Sequence, residues 1–287
     1  RLGLDYEAVK AVNPGVVYLS LSAFGQDGPY VRKPAHDLVT EAYAGVLSTN
    51  LGFDSKPAIP ALPAADMLAA TMGLSAVLMA LLRRKDTGKG DYIDLAMMDS
   101  LMACLPNSMG SVFAEGKAPS VKDERIWGGH AMYNIYPTAD QKFIVLGASE
   151  IHFAKNLLGK LGRLDLLPLC ELPPGSGQDP VREYFNETFQ SQSQDYWIEW
   201  FDDIDVAFAP VNDLRQAVDD EQIRYRQMIV LDEFGREHIG IPMKFHDEPG
   251  RINFDAPRLG QHNREIARQL GYSDRQINEL QTDGVFG

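Results

Sequence analysis

Two acidic signals thirty positions apart hold the chemistry legible in this chain: the His36-Asp37 pair in PYVRKPAHDLVTEAYAGVLS, and Asp66 in PALPAADMLAATMGLSAVLMALLRR. Asp66 stands at the mouth of a long apolar helix, where a carboxylate can meet a substrate rather than water. Each of these residues also has an ordinary structural reading. Aspartate is a favoured helix cap, its carboxylate accepting hydrogen bonds from the first free backbone amides, a contribution of roughly 0.5 to 2 kcal/mol. His36 can be a satisfied histidine at a helix start, and Glu150 in GASEIHF can be the acid that opens the next helix. Taken singly, none of them marks a site.

The elements that must position these residues follow from periodicity. Residues 5–12 are amphipathic at helical spacing and end at Asn13-Pro14, after which VVYLSL at 16–21 is a β-rich run suited to a buried strand. Residues 23–34, with Gly25, Gly28, Pro29 and Pro34, form a loop at that strand's carboxyl end, where open α/β sheets bind ligands. Helix is expected over 38–48 and again over about 65–85, with a Pro-rich connection at 57–63, then a short strand at 92–95 and another helix. The run 67–82 is nearly all apolar but only sixteen residues long, short of the roughly twenty that a spanning helix requires. It reads as a core helix buried on most sides.

Further along, 117–129 is polar and glycine-bearing, a plausible domain boundary. Strands are expected at 143–146, 206–211 and 228–231, with 238–245 pairing nearby, and helices at 151–161, 180–189 and, closing the chain, 263–270. No internal repeat or low-complexity tract is present. The chain opens on what reads as a helix already under way, with no targeting segment in view, which suggests a piece of something longer.

Composition narrows the function classes. The 287 residues are 45% hydrophobic, enough for one large domain or two smaller ones. A formal charge of -13 would repel a phosphate backbone, so no nucleic-acid partner is expected, and no membrane either. Cys104 and Cys170 form neither a metal spacing nor a disulfide framework, which fits a reducing, cytoplasmic setting. The six histidines never fall at a metal-binding spacing, and no Gly-x-Ser-x-Gly elbow is present. Thr87-Gly88-Lys89-Gly90 resembles a phosphate-binding loop but lacks the earlier glycine and the hydroxyl residue after lysine, so it reads as a helix-to-strand turn.

Several segments together resemble the class III coenzyme A transferase family, which also contains the alpha-methylacyl-CoA racemases. They are NPGVVYLSLSAFGQDGPY, the HD pair, PAADMLAATMGLSAVLMALLRRKDTGKGDYIDLAMMDS, WGGHAMYNIYPTADQKFIVLGASE, FAPVNDL and LGQHNREIARQLGYSDRQI, which occur in the family's order over nearly the whole chain. The resemblance implies a large open-sheet α/β, Rossmann-like domain lacking its N-terminal segment (1–120), a smaller α+β domain (121–245) and a C-terminal return to the large domain (246–287). It also implies an interlocked homodimer.

By the same resemblance, Asp66 matches the catalytic aspartate. In the transferases its carboxylate attacks a CoA thioester and becomes an aspartyl-CoA thioester, so that CoA moves between carboxylic acids. In the racemases the same aspartate pairs with a histidine for α-proton transfer; His36 fills that position, and Glu150 the position of a supporting glutamate. The substrate wall departs from the racemases at Leu38-Val39-Thr40 and at Pro60-Ala61-Leu62-Pro63, while the transferases' longer glycine loop is reduced to Gly128-Gly129. Transferase is therefore the first reading and racemase the second. A non-catalytic acyl-CoA binding module is the third, although binding alone needs neither Asp66 nor His36.

The resemblance places Arg1, Ala35, Asp37, Thr40, Gly128 and Gly129 along the coenzyme, which is a substrate and not a permanently bound cofactor; acyl-CoA and carboxylic acids are the implied small-molecule partners. No metal site is expected. Met132, Tyr133 and Tyr136 could line an acyl pocket, or else pack the small domain.

Overall fold

A computed structural model describes residues 2–286 of the chain. Backbone contacts divide the chain into two compact units, Arg1–Pro210 and Val211–Gly287. The polar stretch 117–129 lies inside the first.

The first unit opens with helix α1 (Tyr6–Val12), capped by Asp5, whose carboxylate accepts from the Ala8 amide at 3.1 Å. Strand β1 (Val17–Ser22) follows and pairs in parallel with β2 (Asp91–Ala96), in register from Val17 opposite Asp91 to Ser22 opposite Ala96. Parallel strands need a crossover. Here it consists of α2 (Asp37–Tyr43), α3 (Val46–Thr49) and the 24-residue α4 (Ala64–Thr87). The single helix expected over 38–48 is thus two helices. Gly45 separates them at φ +82°, a left-handed conformation that glycine adopts without steric cost.

Helix α4 lies on both strands and on α5 (Met97–Ala103). Gly73 makes the close approach: a Cβ there would sit 3.0 Å from Leu19 Cδ2 and 3.4 Å from Leu95 Cδ2. The helix ends at Gly88, whose amide donates to the Arg84 carbonyl at 2.8 Å, so TGKG is a helix-to-strand turn. The expectation that α4 is buried on most sides is corrected. Only Ala65, Ala69, Gly73 and Ala80 are buried, while Leu74, Leu78, Met79 and Leu82 are each more than half exposed. By length and composition alone α4 would suffice to cross a membrane. Hydropathy reports how apolar a helix is, not how many neighbours the fold supplies, and here the strand pair covers one side only.

After α6 (Pro106–Glu115), three antiparallel strands form a second sheet in which β4 (Phe143–Gly147) lies between β3 (Tyr133–Pro137) and β5 (Phe208–Pro210). Alternate residues Ile144 and Leu146 point into a core built by α7 (Ile151–Lys160), α8 (Leu167–Cys170), α9 (Asp179–Phe189) and α10 (Gln194–Phe201). Phe189 and Trp197 meet edge to face at 5.0 Å between centroids. Met132 and Tyr136 belong to this core, with the Tyr136 hydroxyl donating to the Ala131 carbonyl at 2.6 Å, so packing and not an acyl pocket accounts for them. Helix α10 had no sequence expectation, because its aromatic-rich QDYWIEWF scores poorly as helix; its signals are the Ser193 cap and the Trp197–Phe201 repeat.

In the second unit, α11 (Leu214–Asp219) and α12 (Glu221–Tyr225) precede a hairpin of β6 (Ile229–Leu231) and β7 (Glu237–Ile239). The pairing expected over 238–245 stops at Ile239, shortly before Pro242, which has no amide to donate. Helix α13 (Asn263–Gln269) is not the last, as expected, but is followed by α14 (Asp274–Thr282), announced by a Ser273–Gln276 capping box.

Arg215 and Arg224 share Asp219 and Glu237 as partners in this unit. Hydrogen bonds from Arg215 and then Arg224 hold the Glu237 carboxyl at about 2, below its ordinary 4.5. The folded state therefore releases this proton more readily than the unfolded one. The contribution to stability is complete above 4.5 and disappears as pH falls toward 2. Glu237→Gln should be less stable than the parent near neutral pH, with the gap closing as pH drops through that window; urea unfolding across a pH series checks it.

Candidate active site

The N-terminus of α4 cannot cap itself. Its N-cap residue is Pro63, which offers no side-chain acceptor, and the first amides of any helix lack intrahelical partners. Helix α2 supplies the acceptors. Its Asp37 and Glu41 are one turn apart on one face, and both reach across to α4: Glu41 Oε1 accepts from the Ala64 amide at 3.1 Å, and Asp37 Oδ1 from the Asp66 amide at 3.0 Å.

The helix-cap reading of Asp66 is thereby corrected, because two carboxylates from another helix do that work. Asp66 occupies the third position of α4, exposed to solvent, and its own carboxylate makes no hydrogen bond among the described residues. It lies in the first turn, where the helix dipole favours a negative charge. An uncommitted carboxylate on a fixed backbone is equipped to act as a nucleophile or a base.

Glu41 has a different character. It is 0% exposed, and its second oxygen, Oε2, is buried without a hydrogen-bond partner among the described residues. Burial raises its carboxyl above the ordinary 4.5, against the opposing pull of the Ala64 amide, and the Asp37 charge adds to the rise. Glu41 was not among the residues singled out from sequence; the D-x-x-x-E spacing on α2 was the available signal.

His36 is the N-cap of α2 and is exposed; its carbonyl accepts from Val39, Thr40 and the Thr40 hydroxyl, while its imidazole makes no hydrogen bond among the described residues. Ala35 beside it is half-buried, and Thr40 is fully buried with its hydroxyl committed to that carbonyl. Glu150 is the N-cap of α7, exposed, and among the described residues no hydrogen bond joins it to His36 or Asp66. Of the sequence-derived site residues, hydrogen bonding thus unites Asp37 with Asp66, and His36 with Thr40. Arg1 lies outside the described residues.

Gly128 and Gly129 have structural reasons for being glycine. Gly128 sits at φ +91°, and a Cβ on Gly129 would lie 2.6 Å from the Asp123 carbonyl carbon. The Gly129 carbonyl accepts from Arg182 Nη1 at 2.6 Å and from the Gly175 amide at 2.9 Å. Among the described residues no cluster of three or more His, Cys, Asp or Glu is arranged to hold a metal ion.

The chain belongs to CoA-transferase family III, whose sequence profile matches residues 1–263. Its relatives include an acyl-CoA transferase of Fusarium pseudograminearum, 27% identical over 100% of this chain and 64% of its own length. Acetyl-CoA:oxalate CoA-transferase of Acetobacter aceti is 26% identical over 94% of this chain and 70% of its own. The human alpha-methylacyl-CoA racemase is 28% identical over 100% and 75%. This chain thus spans less than two thirds of the fungal relative. The mixed α/β fold matches that of a CaiB/BaiF family protein from Brucella suis, with a TM-score of 0.76 and 25% identity over 93% of this chain and 71% of that one.

Asp37→Ala removes the acceptor from the Asp66 amide. It should destabilise the protein by about 0.5 to 2 kcal/mol, the cost of a lost helix cap. Asp37→Asn, which keeps an acceptor oxygen, should recover much of that; chemical denaturation of the two variants checks it.

Proposed function

We propose that this chain carries the nucleophile of a CoA transferase that moves coenzyme A between carboxylic acids, with Asp66 as the covalent carrier. The observation that carries this reading is the uncommitted Asp66 carboxylate in the first turn of α4, on a backbone tied to α2 by Asp37 and Glu41. A carboxylate oxygen of Asp66 attacks the thioester carbonyl, and the C–S bond breaks with its electron pair leaving on the CoA thiolate. A mixed anhydride remains. The thiolate then attacks the aspartyl carbonyl and the original acyl group departs as a carboxylate, leaving an aspartyl-CoA thioester. An acceptor carboxylate runs both steps in reverse. Each exchange replaces one carboxylate with another, so little bond energy changes, and the positive end of α4 favours the oxyanion that develops. Arg1, Ala35, Asp37, Thr40, Gly128 and Gly129 are the proposed coenzyme contacts.

A second reading, an acyl-CoA racemase, is favoured by the exposed imidazole of His36, which makes no hydrogen bond among the described residues, and by the racemase among the relatives. Asp66 and His36 would then remove and return the α-proton on opposite faces. Glu150, which that reading places in support of His36, makes no hydrogen bond to it, and for this reason the transferase reading stands first.

Incubating the full-length enzyme with an acyl-CoA panel and hydroxylamine should yield a hydroxamate on the peptide bearing Asp66, and Asp66→Asn should lower turnover by about 10³-fold or more. Rapid α-deuteration in heavy water with no adduct, lost in His36→Ala, would instead establish the racemase. CoA binding by titration without turnover or deuteration would leave a binding module.

We also propose a homodimer, supported by the apolar side of α4 that Leu74, Leu78 and Leu82 leave exposed. Light scattering should give twice the chain mass, and Leu78→Glu should shift it toward one chain. A parent protein of single-chain mass at micromolar concentration excludes it.

A further inference from the structure

Glu41 is a buried ionisable group that no step above uses. One of its oxygens accepts from the first amide of α4, and the other is buried without a hydrogen-bond partner among the described residues. Asp37, one turn earlier on the same face of α2, is the titratable group that acts on it, by charge. Two carboxylates cannot hydrogen-bond to one another without a proton between them. A buried, unpaired carboxylate oxygen is also costly, and a proton placed on it turns an orphan acceptor into a donor.

Resting on the reading of Asp66 as nucleophile, we propose that Glu41 is a positioning residue kept as a neutral carboxylic acid, which accepts from the Ala64 amide and donates to Asp37. Asp37 in turn holds the Asp66 amide at 3.0 Å. The relay from Ala64 through Glu41 and Asp37 back to Asp66 closes a loop around the first turn of α4. It fixes where the Asp66 carboxylate stands without touching that carboxylate. Neutrality has a second effect. With Glu41 uncharged, Asp66 shares the helix end with one negative neighbour instead of two.

The test compares two variants of the full-length enzyme. Glu41→Gln keeps both an acceptor and a donor in the same shape and carries no charge; Glu41→Leu keeps neither polar function. Turnover of Glu41→Gln should stay within about threefold of the parent, whereas Glu41→Leu should lose ~10- to 100-fold in kcat with KM little changed, as expected for a misplaced nucleophile. Independently of activity, the infrared spectrum of the parent at neutral pH should contain the carbonyl stretch of a buried neutral carboxylic acid, absent in Glu41→Gln. A Glu41→Gln enzyme as impaired as Glu41→Leu, or a parent without that band, overturns the proposal. If Glu41→Leu does not fold, the Glu41→Gln activity and the infrared band still decide. A parent that forms no hydroxamate on Asp66 overturns the transferase reading, while the band continues to report on Glu41.

Discussion

The capping of α4 by α2 is the interaction on which the rest of the site depends. Pro63 gives the helix no acceptor of its own, so its first amides must find partners elsewhere, and Glu41 and Asp37 provide them. Had Asp66 capped the helix, its carboxylate would have been tied to backbone amides and stabilised as an anion, and so less reactive toward a carbonyl. Capping from a second helix separates the two roles. The backbone of Asp66 is fixed and its side chain remains free. The same contacts dock α2 against α4, with Ala44, Ala65, Ala69, Met97 and Leu101 forming the apolar cluster beside them.

Sequence was informative where one local rule decides the outcome. A β-rich run marked β1, apolar length marked α4, and the helix end before Gly88 marked the turn there. It failed where the outcome depends on partners. The apolar length of α4 could not reveal that Leu74 and Leu78 face outward, because burial is a property of the neighbours. Gly45 was read through as helix, since a glycine's φ is not written in its neighbours. Within the site, Asp66 and His36 were legible only through resemblance to a family, and the cap between helices left only the D-x-x-x-E spacing on α2, which does not name the helix it meets. Asp37 and Glu41 meet α4 across 29 and 23 positions of chain, and no local pattern encodes that contact.

The placement of the acidic residues also resolves an apparent conflict between the charge of the protein and its chemistry. A chain of net charge -13 is a poor attractor of the anionic coenzyme proposed as its substrate, and three carboxyl groups converge on one helix end. Over a Debye length of about 8 Å in physiological salt, however, distant surface charge is screened, and what a substrate meets is the local balance. That balance is the positive end of a 24-residue helix against the carboxyl groups beside it. A helix terminus offsets about half a charge, so each carboxyl that is neutral changes the local sign more than any distant residue can. The burial of Glu41 is therefore an electrostatic feature of the site as well as a packing one: the group hidden from water is the one whose charge the site can least accommodate.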